Sequence, residues 1–361
     1  MNKILHLISS LRPSGIACQV ARLAAALPRE GFEARIGLLG RDGLLGDAAR
    51  AAGVAIETVS KGRIIDLPGL TRLRRLLRGF QPDVLHVWDL PALWRLRGAV
   101  GKKQGRWLVH GRGMVLGSPR QLTRLERWLI RQADGVTVYS PQEAVAWQRV
   151  GVPAAKITVL SPLLASADQD DAPPASAAAP WLAAGMRRVV CVGPLEPHKG
   201  FLDAVWSLDI LKYLFSELHL LMVGAGSDRP RLERFCHDIQ AADRIHFLGE
   251  QPRIDVLLAA ADVVWVPSHK PAGVHVLLEA MAHGRPVIAS RLPGLMEHVQ
   301  DGATGLLFTP GDKAELARWT RRLLENPDEA ARLGAAARHY IQEHFRPPEL
   351  MERWIQLYDH P

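Results

Sequence analysis

The sequence is poor in cysteine and has no long apolar run. Its 361 residues include three cysteines, Cys18, Cys191 and Cys236, and no two of them are close in the chain. A disulfide framework or a zinc-binding pair is therefore not indicated, and a reducing compartment such as the cytoplasm is expected. Without a run of about 18 apolar residues, the sequence predicts no membrane-spanning helix. Arg12 and Pro13 interrupt the apolar N-terminus, which favours a first β-strand over a signal peptide.

Charge is distributed unevenly along the chain. Residues 1–165 contain 25 Lys and Arg against 11 Asp and Glu, a net charge of +14. Residues 166–361 contain 20 basic and 26 acidic residues, a net charge of −6. This asymmetry predicts that the two halves have different surroundings or partners.

Short apolar runs alternate with amphipathic segments in both halves, the pattern of βαβ units and parallel sheets. We predict seven strands in residues 1–165 and six in residues 188–345, and helices such as Pro119–Gln132 and Val274–His283 between them. Residues 166–187, rich in Ala, Ser, Asp and Pro, are predicted to be a linker. The fold class is therefore α/β with two doubly wound, Rossmann-like domains, followed by a C-terminal helix in residues 346–361.

Four segments at predicted strand ends are candidates for binding an anionic ligand. Ser14 and Gly15 lie between the first strand and the first helix, where backbone N–H groups can face an anion, although an ordinary turn explains them equally well. Gly193 begins a second such turn, which contains Lys199 before a helix; the alternative is a solvated loop lysine. Gly224 begins a third turn. Glu279 lies on an otherwise apolar helix, where its carboxylate either binds a ligand or makes a structural ion pair.

The order and spacing of several motifs resemble a known family. In the second half these are VGPLEPHKG, MVGAGSDRPRLE, RIHFLGE, AADVVWVPS, LLEAMAHGRPVIAS and PGLMEHVQDGATGLLFTPGD, and the first half adds DVLH and LVHG. Together they resemble the retaining GT-B glycosyltransferases of the family numbered four, the glycosyl transferases of group 1. The resemblance implies two facing Rossmann-like domains with an interdomain cleft. It also implies a nucleotide-diphosphate sugar donor held mainly by the second domain, a glycan or lipid-linked acceptor, and no metal or other cofactor.

The resemblance also implies roles for individual residues. Lys199 matches the lysine that holds the donor diphosphate, Glu279 the glutamate that contacts ribose, and His110 the histidine that reaches toward the donor sugar and leaving group. The glycines of the loops near the diphosphate are matched by Gly15, Gly193 and Gly224. The loop and helix start beneath the nucleotide are matched by Gly294 and Glu297. His110 and Lys199 are the expected catalytic residues.

The sequence departs from the family pattern at four places. Pro271 stands where the family has the first glutamate of a pair, a residue that contacts the donor sugar, and Pro194 stands where it has an arginine. Ala17 replaces an expected glutamate, and Ser161-Pro162 replaces an expected Asn-Gly turn. Two functions therefore remain open at this point: an active glycosyltransferase with a modified sugar pocket, or a catalytically degenerate homologue that serves as a binding or scaffold subunit in glycan assembly.

Two segments of the first half carry arginines at helical spacing. Leu125, Trp128 and Leu129 mark the other side of the second segment. Such basic amphipathic helices suit either an anionic membrane surface or a solvated helix face whose leucines pack on the sheet. The membrane interpretation would place the protein at the cytoplasmic face of a membrane through Arg72, Arg75, Arg120, Arg124, Arg127 and Arg131. Nucleic-acid binding is not indicated, because no recognition helix or aromatic platform accompanies the charge.

Overall fold

Two parallel β-sheets organise the chain in the computed structural model, which describes residues 2–60, 66–100, 104–111, 123–164, 185–251, 253–270 and 273–359. The chain divides into a first unit, residues 1–163 with 347–361, and a second unit, residues 164–346. Pro271, Arg120 and most of the predicted linker lie outside the described residues. Among the described residues, no helix has the length and apolar character needed to cross a bilayer.

The first unit contains a seven-stranded parallel sheet with the strand order β3-β2-β1-β4-β5-β6-β7. Its apolar residues alternate along the strands, so that Leu5, Leu7 and Leu85 share one face with the core under the helices. The strands are β1 Lys3–Ser10, β2 Glu33–Arg41, β3 Ala55–Thr58, β4 Val84–Val87, β5 Arg106–His110, β6 Gly135–Val138 and β7 Ile157–Val159. The helices between them are α1 Gly15–Ala26, α2 Leu44–Ala51, α3 Leu67–Phe80, α4 Leu90–Ala99, α5 Arg124–Arg131 and α6 Pro141–Arg149.

The second unit contains a six-stranded parallel sheet with the strand order β10-β9-β8-β11-β12-β13. Its central strands are apolar on both faces, as expected for a sheet covered by helices on both sides. The strands are β8 Arg187–Val192, β9 Leu218–Val223, β10 Ile245–Gly249, β11 Val263–Val266, β12 Val287–Ser290 and β13 Leu306–Phe308. The helices are α7 Phe201–Leu211, α8 Arg229–Asp238, α9 Ile254–Ala259, α10 Val274–Ala282, α11 Lys313–Glu325 and α12 Pro327–His344.

The last helix, α13, spans Pro347–Asp359 and packs on the first unit. Its Trp354 and Tyr358 are buried, and Arg106 of β5 donates to the carbonyl oxygen of Leu357. Arg353 donates to the carbonyl oxygen of Val159 at the end of β7. The helix therefore covers the sheet face opposite the α3–α6 core.

The prediction for α5 needs two corrections. The helix begins at Arg124, after a capping box in which Thr123 and Glu126 exchange hydrogen bonds. Leu125 and Trp128 are 50% and 44% exposed, and they do not join Leu129 on the buried side. The capping box explains part of the difference, because it holds the carboxylate of Glu126 against the helix start and buries that residue instead.

Candidate functional site

The strand order of the second unit places a crevice where β8 and β11 are neighbours. In open α/β sheets, ligands bind outside the carboxyl ends of strands at the point where the strand order reverses. The predicted residues Gly193 and Lys199 follow β8, and Glu279 lies on α10, which follows β11. The topology therefore brings these three positions to one end of one sheet.

The glycine turns at this end are packed against each other more tightly than side chains would allow. A Cβ on Gly224 would lie 2.0 Å from the carbonyl oxygen of Gly193, and both glycines have positive φ. The amide of Gly193 donates to the carbonyl oxygen of Val223, and the amide of Leu195 donates to that of Ala225. The close packing of the two turns thus requires glycine at position 224, and the positive φ favours glycine at position 193.

Lys199 is only 9% exposed, so the interpretation as a solvated loop lysine is wrong. It ends a 3-10 turn, Pro197–Lys199, two residues before α7 begins. Its ammonium nitrogen lies 3.9 Å from the position that a Cβ on Gly193 would occupy. Gly200, with φ of +72°, then brings the chain against the carbonyl oxygen of Pro267 at the end of β11. A buried cation held over a glycine turn, at the end of the sheet where ligands bind, is suited to a phosphate group.

Glu279 is buried on α10, where its neighbours on the helix are also buried. The cap residue of α10 is Gly273, which offers no side chain to the first-turn amides. Gly294 packs at this helix start, since a Cβ there would lie 3.5 Å from Val274. Glu297 lies in a series of turns over residues 293–298 and not at a helix start as predicted.

The sequence analysis missed a histidine–carboxylate pair at the same end of the sheet. Nε2 of His269, just after β11, forms a short hydrogen bond with Asp203 of α7, whose carboxylate is buried. The amide of His269 donates to the carbonyl oxygen of His198, 2.9 Å away, beside Lys199. The available signal was the same as for Glu279: Asp203 is a carboxylate within an apolar helical segment.

In the first unit, Gly15 is the first residue of α1, as the motif predicts. Ser14 caps this helix by accepting a hydrogen bond from the amide of Ala17 at 3.2 Å. Ser9 at the end of β1 donates through its amide and its hydroxyl to Asp89, which follows β4. Asp89 also caps α4, so one carboxylate ties together the ends of the two strands where the order of this sheet reverses.

His110 ends β5 and is fully buried. Strand periodicity places it on the same sheet face as His6 of β1 and His86 of β4, and His86 stacks on Trp88 with ring centroids 4.2 Å apart. Nδ1 of His110 lies 3.0 Å from Oγ1 of Thr137. Burial lowers the pKa of His6 to about 3 and, with a smaller contribution from nearby cations and histidines, lowers the pKa of His86 well below its usual value. His6 and His86 are therefore neutral at physiological pH.

Two of the departures from the family pattern follow strands of the second unit in the sequence. Pro194 lies in the glycine turn, where its carbonyl oxygen accepts the amide of Glu196, and Pro271 is outside the described residues. No group of three His, Cys, Asp or Glu side chains is arranged to hold a metal ion in the part of the chain that the structure describes.

The arginines of the predicted basic surface that the structure describes lie on two helices of the first unit, α3 and α5. On α3, Arg72 donates to the carbonyl oxygen of Val59 and Arg74 to that of Ala99, so these arginines also stabilise the fold. On α5, Arg124 and Arg131 are exposed beside Leu125 and Trp128. The guanidinium of Arg97 on α4 lies 5.6 Å from the ring centroid of Trp128.

Two family models match the chain. Residues 181–340 match the model described as "Glycosyl transferases group 1", and residues 13–163 match the model described as "Glycosyltransferase Family 4". The two matches cover the whole second sheet, the first sheet except β1, and most of the residues identified above.

Individual relatives and solved structures agree with these models. A "GDP-mannose-dependent alpha-(1-6)-phosphatidylinositol monomannoside mannosyltransferase" of Mycobacterium tuberculosis is 30% identical over 329 residues, 83% of this chain and 82% of the relative. A glycogen synthase of the same organism is 28% identical over 83% of this chain and 74% of its own length. Anabaena HepE, solved in complex with UDP-glucose, superimposes with a TM-score of 0.82 over 99% of both chains at 21% identity. These similarities and the two observed sheets confirm the predicted GT-B fold class.

Proposed function

Because the chain belongs to the glycosyl transferases of group 1, a retaining family that uses nucleotide-sugar donors, we propose that it is an active glycosyltransferase. It transfers a sugar from a nucleoside diphosphate to a glycan or lipid-linked acceptor, with retention of anomeric configuration and without a metal cofactor. The second unit binds the donor and the first unit receives the acceptor.

The observation that carries this proposal is the burial of Lys199 beside the paired glycine turns. The ammonium of Lys199 lies over the turn at Gly193, at the end of the sheet where ligands bind, and a cation in this position attracts a phosphate group. The neighbouring turns present backbone close to the ligand without side chains in the way, as required for the approach of a diphosphate. In this arrangement Lys199 stabilises the negative charge that develops on the leaving diphosphate, and Glu279 contacts the ribose.

The proposed reaction needs few groups from the protein. The bond between the anomeric carbon and the diphosphate breaks with Lys199 next to the departing phosphate. The oxygen of the acceptor hydroxyl forms the new bond to the anomeric carbon, and an oxygen of the departing diphosphate accepts the proton of that hydroxyl. We propose that His110 also takes part in this transfer. His269, which is hydrogen-bonded to Asp203, precedes Pro271 by two residues in the sequence, and we propose that His269 contacts the donor sugar in place of the missing glutamate.

Calorimetric titration with UDP-, GDP- and ADP-sugars tests donor binding. Loss of a charge-assisted contact is worth about 1.5–3 kcal/mol, so Lys199→Ala should weaken binding roughly 10- to 100-fold. Glu279→Gln, which keeps the shape of the side chain, should weaken binding of the donor and of the free nucleoside diphosphate alike. Lys212→Ala is the matched control, because Lys212 pairs with Asp209 at the far end of α7 and should leave affinity unchanged.

A folded protein that binds none of these donors would contradict the proposal. If the Lys199→Ala variant and the wild type bound the donor with equal affinity, Lys199 would not be part of the donor site. Absence of donor binding would favour the alternative function, a scaffold subunit of a glycan assembly pathway.

We also propose that the first unit docks on an anionic membrane surface at the cytoplasmic face, where a lipid-linked acceptor would be found. The support is the exposure of Leu125 and Trp128 among arginines on α5, with Trp94 of the neighbouring helix α4 also 40% exposed. Exposed aromatic and apolar side chains among cations are typical of helices that lie in the membrane interface. The relative whose name specifies a phosphatidylinositol mannoside acceptor is consistent with this proposal.

Flotation with vesicles tests the membrane proposal. The protein should float with vesicles that contain phosphatidylserine, and less so as salt rises, because each arginine near the surface contributes about 1 kcal/mol. Trp128→Ala and Arg124→Gln should reduce flotation, whereas Arg321→Gln, an exposed arginine of the second unit, should not. Failure of the wild type to float at low salt would refute the proposal.

A further inference from the structure

A chain of hydrogen bonds runs through the buried face of the first unit from α13 to His110. Oη of Tyr358 lies 2.9 Å from Nδ1 of His86, whose Nε2 lies 3.3 Å from Oγ1 of Thr137. The same hydroxyl of Thr137 lies 3.0 Å from Nδ1 of His110. All four side chains are at most 2% exposed.

The protons of this chain can be ordered in two directions, because each neutral imidazole and each hydroxyl has one proton to donate. Burial raises the pKa of Tyr358 and lowers that of His86, so that a neutral phenol faces a neutral imidazole. Within the described residues, His86 is the hydrogen-bond partner of the phenol. The buried O–H of Tyr358 must therefore donate to Nδ1 of His86, since an unsatisfied buried donor costs about 1–3 kcal/mol.

The remaining protons follow from this first one. With Nδ1 accepting, His86 carries its proton on Nε2 and donates it to Oγ1 of Thr137. The hydroxyl of Thr137 is then free to donate its own proton, and the second acceptor within reach is Nδ1 of His110. A neutral His110 must consequently carry its proton on Nε2. If the protons were ordered in the reverse direction, Nδ1 of His86 would itself carry a proton and could not accept the one of Tyr358.

We propose that Thr137, ordered through His86 and Tyr358, is a positioning residue that holds His110 in the Nε2–H tautomer. The chemical consequence is that the ring carries a hydrogen-bond donor at Nε2, a buried nitrogen in this structure, and does not act as a base. The acceptor's proton must then go elsewhere, which agrees with its transfer to the departing diphosphate. The tautomer itself is a property of the free protein, and only its role in transfer rests on the proposed function.

Nitrogen-15 NMR of the histidine-labelled full chain reads the tautomer directly, because protonated and unprotonated ring nitrogens resonate far apart. The His110→Asn variant identifies the His110 signals by their loss. In the wild type, we expect a proton on Nε2 and an unprotonated Nδ1. Thr137→Val, which removes the donated proton with little change in shape, should move His110 toward a mixture of tautomers, and Thr137→Ser should restore the wild-type spectrum.

Kinetics give the second measurement. Thr137→Val should lower kcat on the order of 10- to 100-fold with little change in the donor KM, because a positioned donor to developing charge is worth about 100- to 1,000-fold. Thr137→Ser should recover most of the rate. Thr320→Val is the control for a buried threonine substitution, because Thr320 accepts from Trp265 in the second unit and should leave the His110 spectrum unchanged.

A wild-type His110 with its proton on Nδ1, or an unchanged tautomer in the Thr137→Val variant, would overturn the inference. The same would follow if Thr137→Ser and Thr137→Val lost activity equally. If the tautomer is as proposed but the wild type transfers no sugar, the proposed function fails and the ordering of the chain stands.

Discussion

Replacing Gly200 by alanine perturbs the point where the turn that carries Lys199 meets the end of β11. Gly200 has φ of +72°, and a Cβ on this residue would lie 1.8 Å from the carbonyl oxygen of Pro267. An L-residue in the left-handed region costs about 1–2 kcal/mol. Moving packed backbone to relieve the clash costs about a further 1–3 kcal/mol. Gly200→Ala should therefore lower the free energy of unfolding by roughly 2–5 kcal/mol.

Gly302 provides the matched control for backbone strain. It lies in the same unit with φ of +77°, but a Cβ there would have no neighbour within 4 Å. Gly302→Ala should cost only the strain, about 1–2 kcal/mol. Urea unfolding, followed by tryptophan fluorescence and far-ultraviolet circular dichroism, measures the difference between the variants. Equal losses in the two variants would refute the idea that the close approach of Gly200 to Pro267 constrains the site.

Two further predictions follow from buried ionisable groups. His6 has a folded-state pKa of about 3, so it binds its proton mainly on unfolding, and the free energy of unfolding should fall as the pH drops below about 6.5. At pH 5 this residue alone should account for a loss of about 2 kcal/mol. Urea unfolding at pH 7.5 and pH 5 should show that His6→Gln reduces the loss by this amount, and a free energy of unfolding that does not depend on pH would contradict the prediction. Asp203→Asn should weaken donor affinity roughly 3- to 10-fold in calorimetry, because it weakens the hydrogen bond that holds His269. Asp209→Asn on the same helix is the control and should leave donor affinity unchanged. Equal effects of the two substitutions would show that Asp203 does not support donor binding through His269.

The sequence was sufficient to predict the two sheets, because the signal for each strand is local. Runs such as those that became β1, β9 and β11 are short, apolar and bounded by turn residues, and parallel strands buried on both faces have this composition. The family motifs then identified the strand ends where the candidate residues lie.

The contacts that give the site its character are not local, and they could not be predicted. Lys199 is buried because turns after two different strands pack together through Gly193 and Gly224. His269 meets Asp203 across 66 residues, and Tyr358 meets His86 across 272. Periodicity places a residue on a face of its own element, but it does not tell which side chain of a distant element covers that face.

The exposure of α5 shows a different limit of sequence analysis. Its apolar and charged residues predicted Leu125 and Trp128 on the buried side, but Glu126 is buried there in their place. A capping box satisfies the carboxylate of Glu126 locally, so that the usual penalty for burying a charge does not apply. Hydrophobicity alone does not take account of such a partner.

The most direct test of the central claim is whether bound donor is turned over. The purified protein is incubated with the radiolabelled nucleotide sugar that binds best, together with lipid and glycan fractions as acceptors, and with the Lys199→Ala variant in parallel. We predict release of nucleoside diphosphate well beyond one equivalent per protein, with transfer of label to an acceptor fraction or to water, and strong loss of both in the variant. Tight donor binding without release beyond one equivalent in any fraction would contradict the account and identify the protein as a binding subunit.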